Sequence, residues 1–81
     1  MKIPSDWNGL QLATRLRSLG YAITRQSGSH MRLTRMGAQG QQHLTIPAHR
    51  PLRVGTLRQI LNTISDQCSI DLEELLRRLE G

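Results

Sequence analysis

Apolar residues near the start of the chain recur every three or four positions, which is the period of a helix that buries one face. The stripe is formed by Leu12, Ala13, Leu16 and Leu19. Asn8 precedes the stripe with Gln11 three residues later, as in a capping box, and Gly20 is placed to end the helix in a left-handed conformation. The pattern therefore predicts a first helix that leaves Arg15 and Arg17 facing water or phosphate.

Three stretches of strand-forming residues follow, at 21–26, 30–34 and 42–46. The second and third alternate polar and apolar side chains, which is the period of a half-buried strand. The first two are separated by Ser27-Gly28-Ser29, a compact turn with a glycine available for positive φ. Residues 36–41 are expected to form a loop, and Pro47 is expected to end the last strand.

The alternation assigns each side chain of these strands to one face of a sheet. The core face is expected to hold Met31, Leu33, Leu44 and Ile46. The opposite, polar face is expected to hold His30, Arg32, Thr34, His43 and Thr45. Arg25 shares the parity of Tyr21 and Ile23, so we expect its side chain to leave the core side at the end of its strand.

Two amphipathic helices are predicted to close the chain, each with apolar residues at positions i, i+3, i+4 and i+7. The first carries Leu57, Ile60, Leu61 and Ile64, and the second carries Leu72, Leu75, Leu76 and Leu79. We expect Gly55 or Thr56 to cap the first helix and Ser69 to cap the second. Glu73 and Glu74 each precede an arginine by four residues, a spacing that suits ion pairing. The order α-β-β-β-α-α predicts an α+β fold, a three-stranded antiparallel sheet with helices on one face.

The length of 81 residues suits one domain, residues 1–81, with a modest core and no room for a deep cofactor pocket. We therefore expect no cofactor, and we expect any chemistry to occur at the surface. The only cysteine, Cys68, has no partner for an internal disulfide. The first residues turn polar at once, and no apolar run approaches the roughly 20 residues that span a bilayer. The sequence predicts a cytoplasmic protein with no membrane partner.

The charge is concentrated in the first three quarters of the chain. Residues 1–60 hold nine basic residues and one acid, a formal charge of +8, whereas residues 61–81 hold two basic residues and five acids, a charge of −3. Ten of the eleven basic residues are Arg, whose planar guanidinium suits phosphate. This pattern indicates a nucleic-acid partner, and a merely solubilising surface is the alternative. Gly55-Thr56, with Arg53 and Arg58 beside it, is either a phosphate site at a helix N-terminus or an ordinary cap.

Three histidines, His30, His43 and His49, are the only side chains expected to exchange protons near neutral pH. Their spacing matches no common zinc pattern, and Asp6 is the only carboxylate in the first sixty-five residues, so we expect no metal site. RNA carries its own nucleophile, the 2′-hydroxyl, and a single imidazole is able to remove its proton. Histidine and arginine without a metal therefore suit RNA as a substrate. From spacing alone, the simpler interpretation of His30 is a polar surface residue, and that of His49 is a plain loop residue.

Four segments of the chain together resemble one known family. They are Leu19-Gly20-Tyr21, Arg25-Gln26-Ser27-Gly28-Ser29-His30, Thr45-Ile46-Pro47-Ala48-His49 and Val54-Gly55-Thr56-Leu57-Arg58-Gln59-Ile60-Leu61. They are similar to segments of the HicA-type toxins, also called YcfA-like proteins, in the same order and with matching gaps over nearly the whole chain. Two stretches depart from the family: residues 66–69 replace a segment that often contains a glycine, and residues 36–41 match loosely.

The resemblance implies a double-stranded-RNA-binding-domain-like fold, ribosome-independent cleavage of mRNA, and inhibition by a HicB-type antitoxin in a hetero-oligomeric complex. The family's catalytic histidine follows Gly-Ser, and the matching position here is His30, presented by the turn at Gly28 and Ser29. His49 matches a recurrent family position to which we assign no catalytic role.

The leading hypothesis is a metal-independent endoribonuclease with His30 as general base. The residues expected to bind RNA are Arg25, Gly28, Ser29, Arg32, His49 and Arg53. The second proton donor stays open among His43, His49 and Tyr21. One alternative is a non-catalytic RNA-binding module, although Lys or Arg at the turn would serve a pure binder better than His. A third hypothesis is a structural or regulatory partner of another protein that uses Leu10 and the basic face.

Overall fold

The computed structural model of the protein describes residue 3, residues 6–48 and residues 51–80. The elements are α1 (Gly9–Leu16), a 3₁₀ turn (Arg17–Leu19), β1 (Ala22–Ser27), β2 (His30–Gly37), β3 (Gly40–Pro47), α2 (Val54–Cys68) and α3 (Leu72–Glu80). The three strands form one antiparallel sheet in the order β1-β2-β3. The predicted α+β fold with the order α-β-β-β-α-α is therefore confirmed, and this order agrees with the double-stranded-RNA-binding-domain-like arrangement.

The helices cover one face of the sheet, and that face holds the core. Its side chains on β2 and β3 are Met31, Leu33, Leu44 and Ile46, all of which are buried. They pack in one cluster with the buried stripes of the helices, which include Leu12 and Leu16 of α1, Leu57, Leu61 and Ile64 of α2, and Leu75, Leu76 and Leu79 of α3. The predicted core positions are thus confirmed except for Leu19 and Leu72, which are only partly buried against the cluster. The polar face of the sheet is left uncovered.

The caps of the helices agree with the sequence in one case and differ in two. Asn8 caps α1 in a reciprocal capping box with Gln11, as predicted. The prediction of Gly55 or Thr56 as the cap of α2 is wrong, because this helix already begins at Val54, after Arg53. The prediction of Ser69 as the cap of α3 is also wrong. Asp71 fills that role, since its Oδ1 accepts a hydrogen bond from the backbone N–H of Glu74 at 2.8 Å, while Ser69 ends α2 in a left-handed conformation with φ of 57°.

β2 and β3 are longer than the alternation predicts, and the expected loop at 36–41 is wrong. Gly37 and Gly40 face each other as the last pair of β2 and β3, so only Ala38 and Gln39 lie between the strands. Gly40 has a φ of +123°, which side-chain-bearing residues rarely adopt. A glycine-bounded hairpin turn therefore replaces the loop and continues the sheet.

The last helix carries its own ion pairs. Glu74 accepts hydrogen bonds from Arg77 and, at 2.9 Å, from Arg78. The expected pairing of Glu73 with Arg77 is replaced by this shared use of Glu74.

None of the helices in the described part of the chain has the length and apolar character needed to cross a membrane.

Candidate functional site

The turn between β1 and β2 places His30 at the first position of β2. Ser27 pairs with His30, so only Gly28 and Ser29 connect the strands, and Gly28 takes a left-handed conformation with φ of +59°. The carbonyl oxygen of Ser29 accepts a hydrogen bond from the backbone N–H of Ala48 at 2.7 Å, which ties the turn to the end of β3. The His30 side chain is exposed, and no hydrogen bond to it is found within the described residues.

The start of α1 supports the same region from the other side. Leu10 donates its backbone N–H to the carbonyl of Ala48 at 3.1 Å. Gly9 permits this approach, since a Cβ on Gly9 would lie 1.6 Å from the carbonyl oxygen of Pro47. Pro47 in turn lies opposite His30 in the sheet. The backbone that carries His30 is thus held by the sheet and by the first turn of a helix.

Arg25 joins the polar face through an irregularity in β1. Ile23 lies opposite Leu33, but the register then shifts, so that Arg25 lies opposite Arg32. Thr24 is the extra residue of this bulge, and a bulge moves the side chains that follow it to the other face. The simple parity that groups Arg25 with Ile23 is therefore broken. The two arginines lie side by side, and Arg32 is two positions along β2 from His30.

A shallow groove follows this pair of arginines on the polar face. It has a volume of about 410 Å³ and is lined by Thr24, Arg25, Arg32, Thr34, Gln41 and His43. Three of these side chains are linked: the Oγ1 atoms of Thr24 and Thr34 are 2.8 Å apart, and Oγ1 of Thr34 is 3.0 Å from Nδ1 of His43. None of the six residues that line the groove is acidic.

Arg35, on the same strand, belongs to the framework of the fold. Its Nε donates to the carbonyl of Leu19 at 2.9 Å, and its Nη1 donates to Oε1 of Gln42 at 2.6 Å and to the carbonyl of Gln67 at 3.1 Å. This half-buried guanidinium therefore joins the 3₁₀ turn, the sheet and the end of α2.

Arg15 is exposed, as the sequence predicts, but its guanidinium is also engaged within the protein. Its guanidinium lies over the Trp7 ring, 4.7 Å from the centroid, and donates to the carbonyl of Leu79 at 2.6 Å. Arg15 therefore connects α1 to the end of α3, and its guanidinium is already engaged by Trp7 and Leu79.

The remaining predicted residues are dispersed. Arg53 is exposed and lies at the N-cap of α2, and it does not line the groove that contains Arg25 and Arg32. His49 lies outside the described residues. Gly28 and Ser29 form the turn as expected, so the structure brings together His30, its turn, Arg32 and Arg25.

Of the candidate proton donors, the two within the described residues, His43 and Tyr21, do not meet at His30. His43 lies opposite Thr34, four residues along β2 from His30, which corresponds to about 13 Å. Tyr21 is buried, and its hydroxyl donates to Oε1 of Gln67 at 2.5 Å. Burial above all, and then the Cys68 thiol beside it, raise the pKa of Tyr21 well above its usual range, although Arg35 opposes the shift. Tyr21 is thus a structural residue of the core.

The geometry suits chemistry on a phosphate ester of an extended polyanion. An exposed imidazole, two adjacent guanidinium groups and hydroxyl donors lie along one open surface, and this surface has no wall that would enclose a small cofactor. Within residues 3, 6–48 and 51–80, no group of three or more His, Cys, Asp or Glu side chains is placed to hold a metal ion. The sequence missed the threonine chain to His43, because alternation assigns Thr24, Thr34 and His43 to the polar face but does not give the cross-strand register that places them side by side.

Comparison with known proteins adds one finding. A protein-family model described as the HicA toxin of bacterial toxin-antitoxin systems matches residues 10–65, which is more than half of the chain. The matched range contains β1, β2 and β3, including the turn and His30, and most of α2. No curated protein and no solved structure matches the chain.

Proposed function

The chain belongs to the HicA toxin family of bacterial toxin–antitoxin systems, and from that premise we propose that it is an endoribonuclease that cuts mRNA with His30 as general base. A toxin of such a system has an antitoxin partner. The observation that carries the proposal is the placement of His30. It stands exposed at the head of β2, two positions from the exposed guanidinium of Arg32, on a face without an acid.

The proposed reaction uses the nucleophile that RNA supplies. His30 removes the proton of a 2′-hydroxyl, the 2′-oxygen forms a bond to the adjacent phosphorus, and the bond from phosphorus to the 5′-oxygen breaks. The leaving 5′-oxygen takes a proton from water. The products are a 2′,3′-cyclic phosphate and a 5′-hydroxyl. The protonated His30 returns its proton when water opens the cyclic ester.

Arg32 is proposed to stabilise the negative charge that builds on the phosphate oxygens, and Arg25 beside it is proposed to hold a neighbouring phosphate. Neighbouring residues on one face of a strand are about 6.6 Å apart, a distance that an arginine side chain spans easily. Gly28 and Ser29 would let the RNA backbone approach the turn closely. Arg53 would bind a phosphate farther along the RNA strand. No metal takes part in this scheme, and no ribosome is required to present the mRNA.

The antitoxin is proposed to be a HicB-type protein that covers the basic face with acidic groups. Opposite charges steer association, so the association rate should fall as salt concentration rises. A rate that is independent of salt would place the inhibitory contact elsewhere on the toxin.

The test of the proposed function compares the wild type with His30→Ala on purified RNA in the presence of a chelator. The wild type should cut, and the variant should lose at least about a hundredfold in rate, the lower range for a general base. Expression of the variant should no longer stop growth. Circular dichroism should show an unchanged fold, since exposed positions usually alter stability by less than about 0.5 kcal/mol.

Two results would contradict the proposal. A folded His30→Ala protein that cuts at the wild-type rate would remove His30 from the mechanism, and loss of wild-type cleavage in chelator would indicate a metal nuclease. A wild type that binds RNA without cutting it would favour the binding-module alternative.

A further inference from the structure

The groove beside Arg25 and Arg32 extends beyond the reach of the proposed reaction. Its far end is formed by Thr34 and His43, about 13 Å along β2 from His30. One phosphodiester group does not span this distance, so His43 and His30 would contact different nucleotides. The far end therefore needs an explanation of its own.

The Thr24–Thr34 and Thr34–His43 contacts each admit a donor at either end. We assign their direction from Thr24, whose hydroxyl has the carbonyl of Arg32 as an acceptor 3.4 Å away. With the one proton of Thr24 used there, Thr34 is the donor to Thr24, and the oxygen of Thr34 accepts from Nδ1–H of His43. A neutral imidazole carries one proton, so Nε2 of His43 is left as an acceptor.

The backbone beneath His43 is fixed as well. Nε2 of Gln67 donates to the carbonyl of His43 at 2.9 Å, and the same Gln67 side chain accepts from the Tyr21 hydroxyl. The orientation of the imidazole is thus fixed by the contact of its Nδ1 with Thr34 and by the hydrogen bond from Gln67 to the main-chain carbonyl of His43. Such support is characteristic of a residue whose position matters for recognition.

We propose that this groove is a second nucleotide subsite, in which Arg25 binds a phosphate flanking the scissile bond and Nε2 of His43 accepts a hydrogen bond from a ribose 2′-hydroxyl. This inference rests on the proposed function, because it places the same RNA chain on the same face. It makes His43 a residue that distinguishes RNA from DNA outside the reaction centre, since only RNA offers the 2′-hydroxyl donor.

The surroundings favour a nucleotide over an acidic protein surface as the occupant. A carboxylate would pair with Arg25 or Arg32 but would leave the Nε2 acceptor of His43 without a donor. A nucleotide supplies an anion and a hydroxyl donor within one unit. The charged groups that face His43 across the groove are Arg25 and Arg32, and both attract phosphate.

The test measures binding of single-stranded oligoribonucleotides to protein that carries His30→Ala, so that the RNA stays intact. A set of oligonucleotides carries one 2′-deoxy substitution each, at every position in turn. One position should lower affinity about two- to tenfold, the worth of one hydrogen bond. In the His30→Ala, His43→Ala protein the same deoxy substitution should have no further effect.

Thr34→Val tests the orienting role of the threonine chain. It removes the hydroxyl and keeps the branched shape, so the sensitivity to that 2′-deoxy position should shrink. Thr45→Val is the matched control, because Thr45 is exposed on the same face and lies outside the groove. Nitrogen chemical shifts of His43 should report protonation at Nδ1 in the neutral ring, and should change in Thr34→Val but not in Thr45→Val.

The outcomes separate this inference from the proposed function. If the wild type cuts RNA but the effects of 2′-deoxy substitution are the same with and without His43, the subsite is wrong and the endoribonuclease stands. A neutral ring protonated at Nε2 would also overturn it. If His43→Ala leaves RNA binding intact and weakens only the antitoxin complex, the groove belongs to the antitoxin. If the wild type cuts no RNA, the proposed function itself fails.

Discussion

Arg32 and Arg35 lie three residues apart on β2, yet their guanidinium groups have opposite surroundings. Arg35 is half-buried and donates three hydrogen bonds to the 3₁₀ turn, the sheet and the end of α2. Arg32 is exposed on the polar face beside Arg25. One arginine holds the fold together, and the other is available for phosphate.

This difference shows that total charge is a coarse measure of a nucleic-acid surface. Among the described arginines, Arg15, Arg35, Arg77 and Arg78 are engaged within the protein. The other five are exposed, and their side chains have no hydrogen bond or ion pair to the described residues: Arg17, Arg25, Arg32, Arg53 and Arg58. The proposed RNA surface is therefore described by this second group and not by the net charge of +5.

The largest effect on stability is expected at Arg35. Arg35→Ala would leave the carbonyls of Leu19 and Gln67 and the amide of Gln42 without their donor. We expect the free energy of unfolding to fall by about 2–3 kcal/mol, because partly buried acceptors lose their partners. Urea unfolding followed by circular dichroism measures it. Arg35→Lys keeps the charge and should recover only part of the loss; full recovery would show that charge alone matters.

Arg15 provides the same comparison within α1. Arg15→Ala removes the contact with Trp7 and the hydrogen bond to Leu79, and we expect a loss of about 1–2 kcal/mol. Arg17 is exposed and lies two residues later, in the 3₁₀ turn. Arg17→Ala should change the free energy of unfolding by less than about 0.5 kcal/mol. Equal losses in the two variants would contradict the division of the arginines into structural and available groups.

The next effect appears only at alkaline pH. The raised pKa of Tyr21 means that folding favours its neutral form, so this contribution is complete below the ordinary tyrosine pKa of about 10 and is lost as pH rises above it. The free energy of unfolding should therefore decline above pH 10 in the wild type and decline less in Tyr21→Phe. Because Tyr21 is the only tyrosine, tyrosinate absorbance follows it directly. Ionisation of Tyr21 near pH 10 without unfolding would contradict its buried hydrogen bond to Gln67.

The smallest effect on stability is expected at Arg32, where RNA affinity should change instead. Arg32→Ala should alter the free energy of unfolding by less than about 0.5 kcal/mol. It should weaken RNA binding about two- to tenfold and lower the salt dependence by about one phosphate contact. Binding titrations at several salt concentrations measure both, and Arg15→Ala is the matched control, because it removes the same charge from an arginine engaged within the protein. An unchanged salt dependence would remove Arg32 from the RNA surface.

Much of the fold follows from the period of the apolar residues. The stripe of α1 with its Asn8 cap, the buried residues of β2 and β3, and the apolar face of α2 are all visible in the sequence, because each depends on local spacing. The turn at Gly28 and the polar placement of His30 are visible for the same reason.

The sequence-based predictions that were wrong concern two kinds of feature. Some depend on residues that are distant in the chain, and others depend on a shift of one residue in strand register. The bulge at Thr24 decides the face of Arg25, and a single inserted residue leaves no periodic trace. In the sequence, Arg35 is indistinguishable from the other arginines. Its structural role becomes visible only when the fold brings the carbonyls of Leu19 and Gln67 to its guanidinium. Asp71 and Ser69 are both acceptable cap residues, and only the path of the chain after α2 selects Asp71.

The central claim, that His30 activates the nucleophile of the RNA itself, is tested most directly by the ends of the cleavage products. Wild-type protein is incubated with a defined oligoribonucleotide in chelator, and the new termini are identified by mass spectrometry. The account predicts a 2′,3′-cyclic phosphate, or the 2′- or 3′-phosphate formed from it, on one fragment and a 5′-hydroxyl on the other, and no cleavage at a site whose 2′-hydroxyl is replaced by hydrogen. A 3′-hydroxyl with a 5′-phosphate, or cleavage that persists at the 2′-deoxy site, would contradict it.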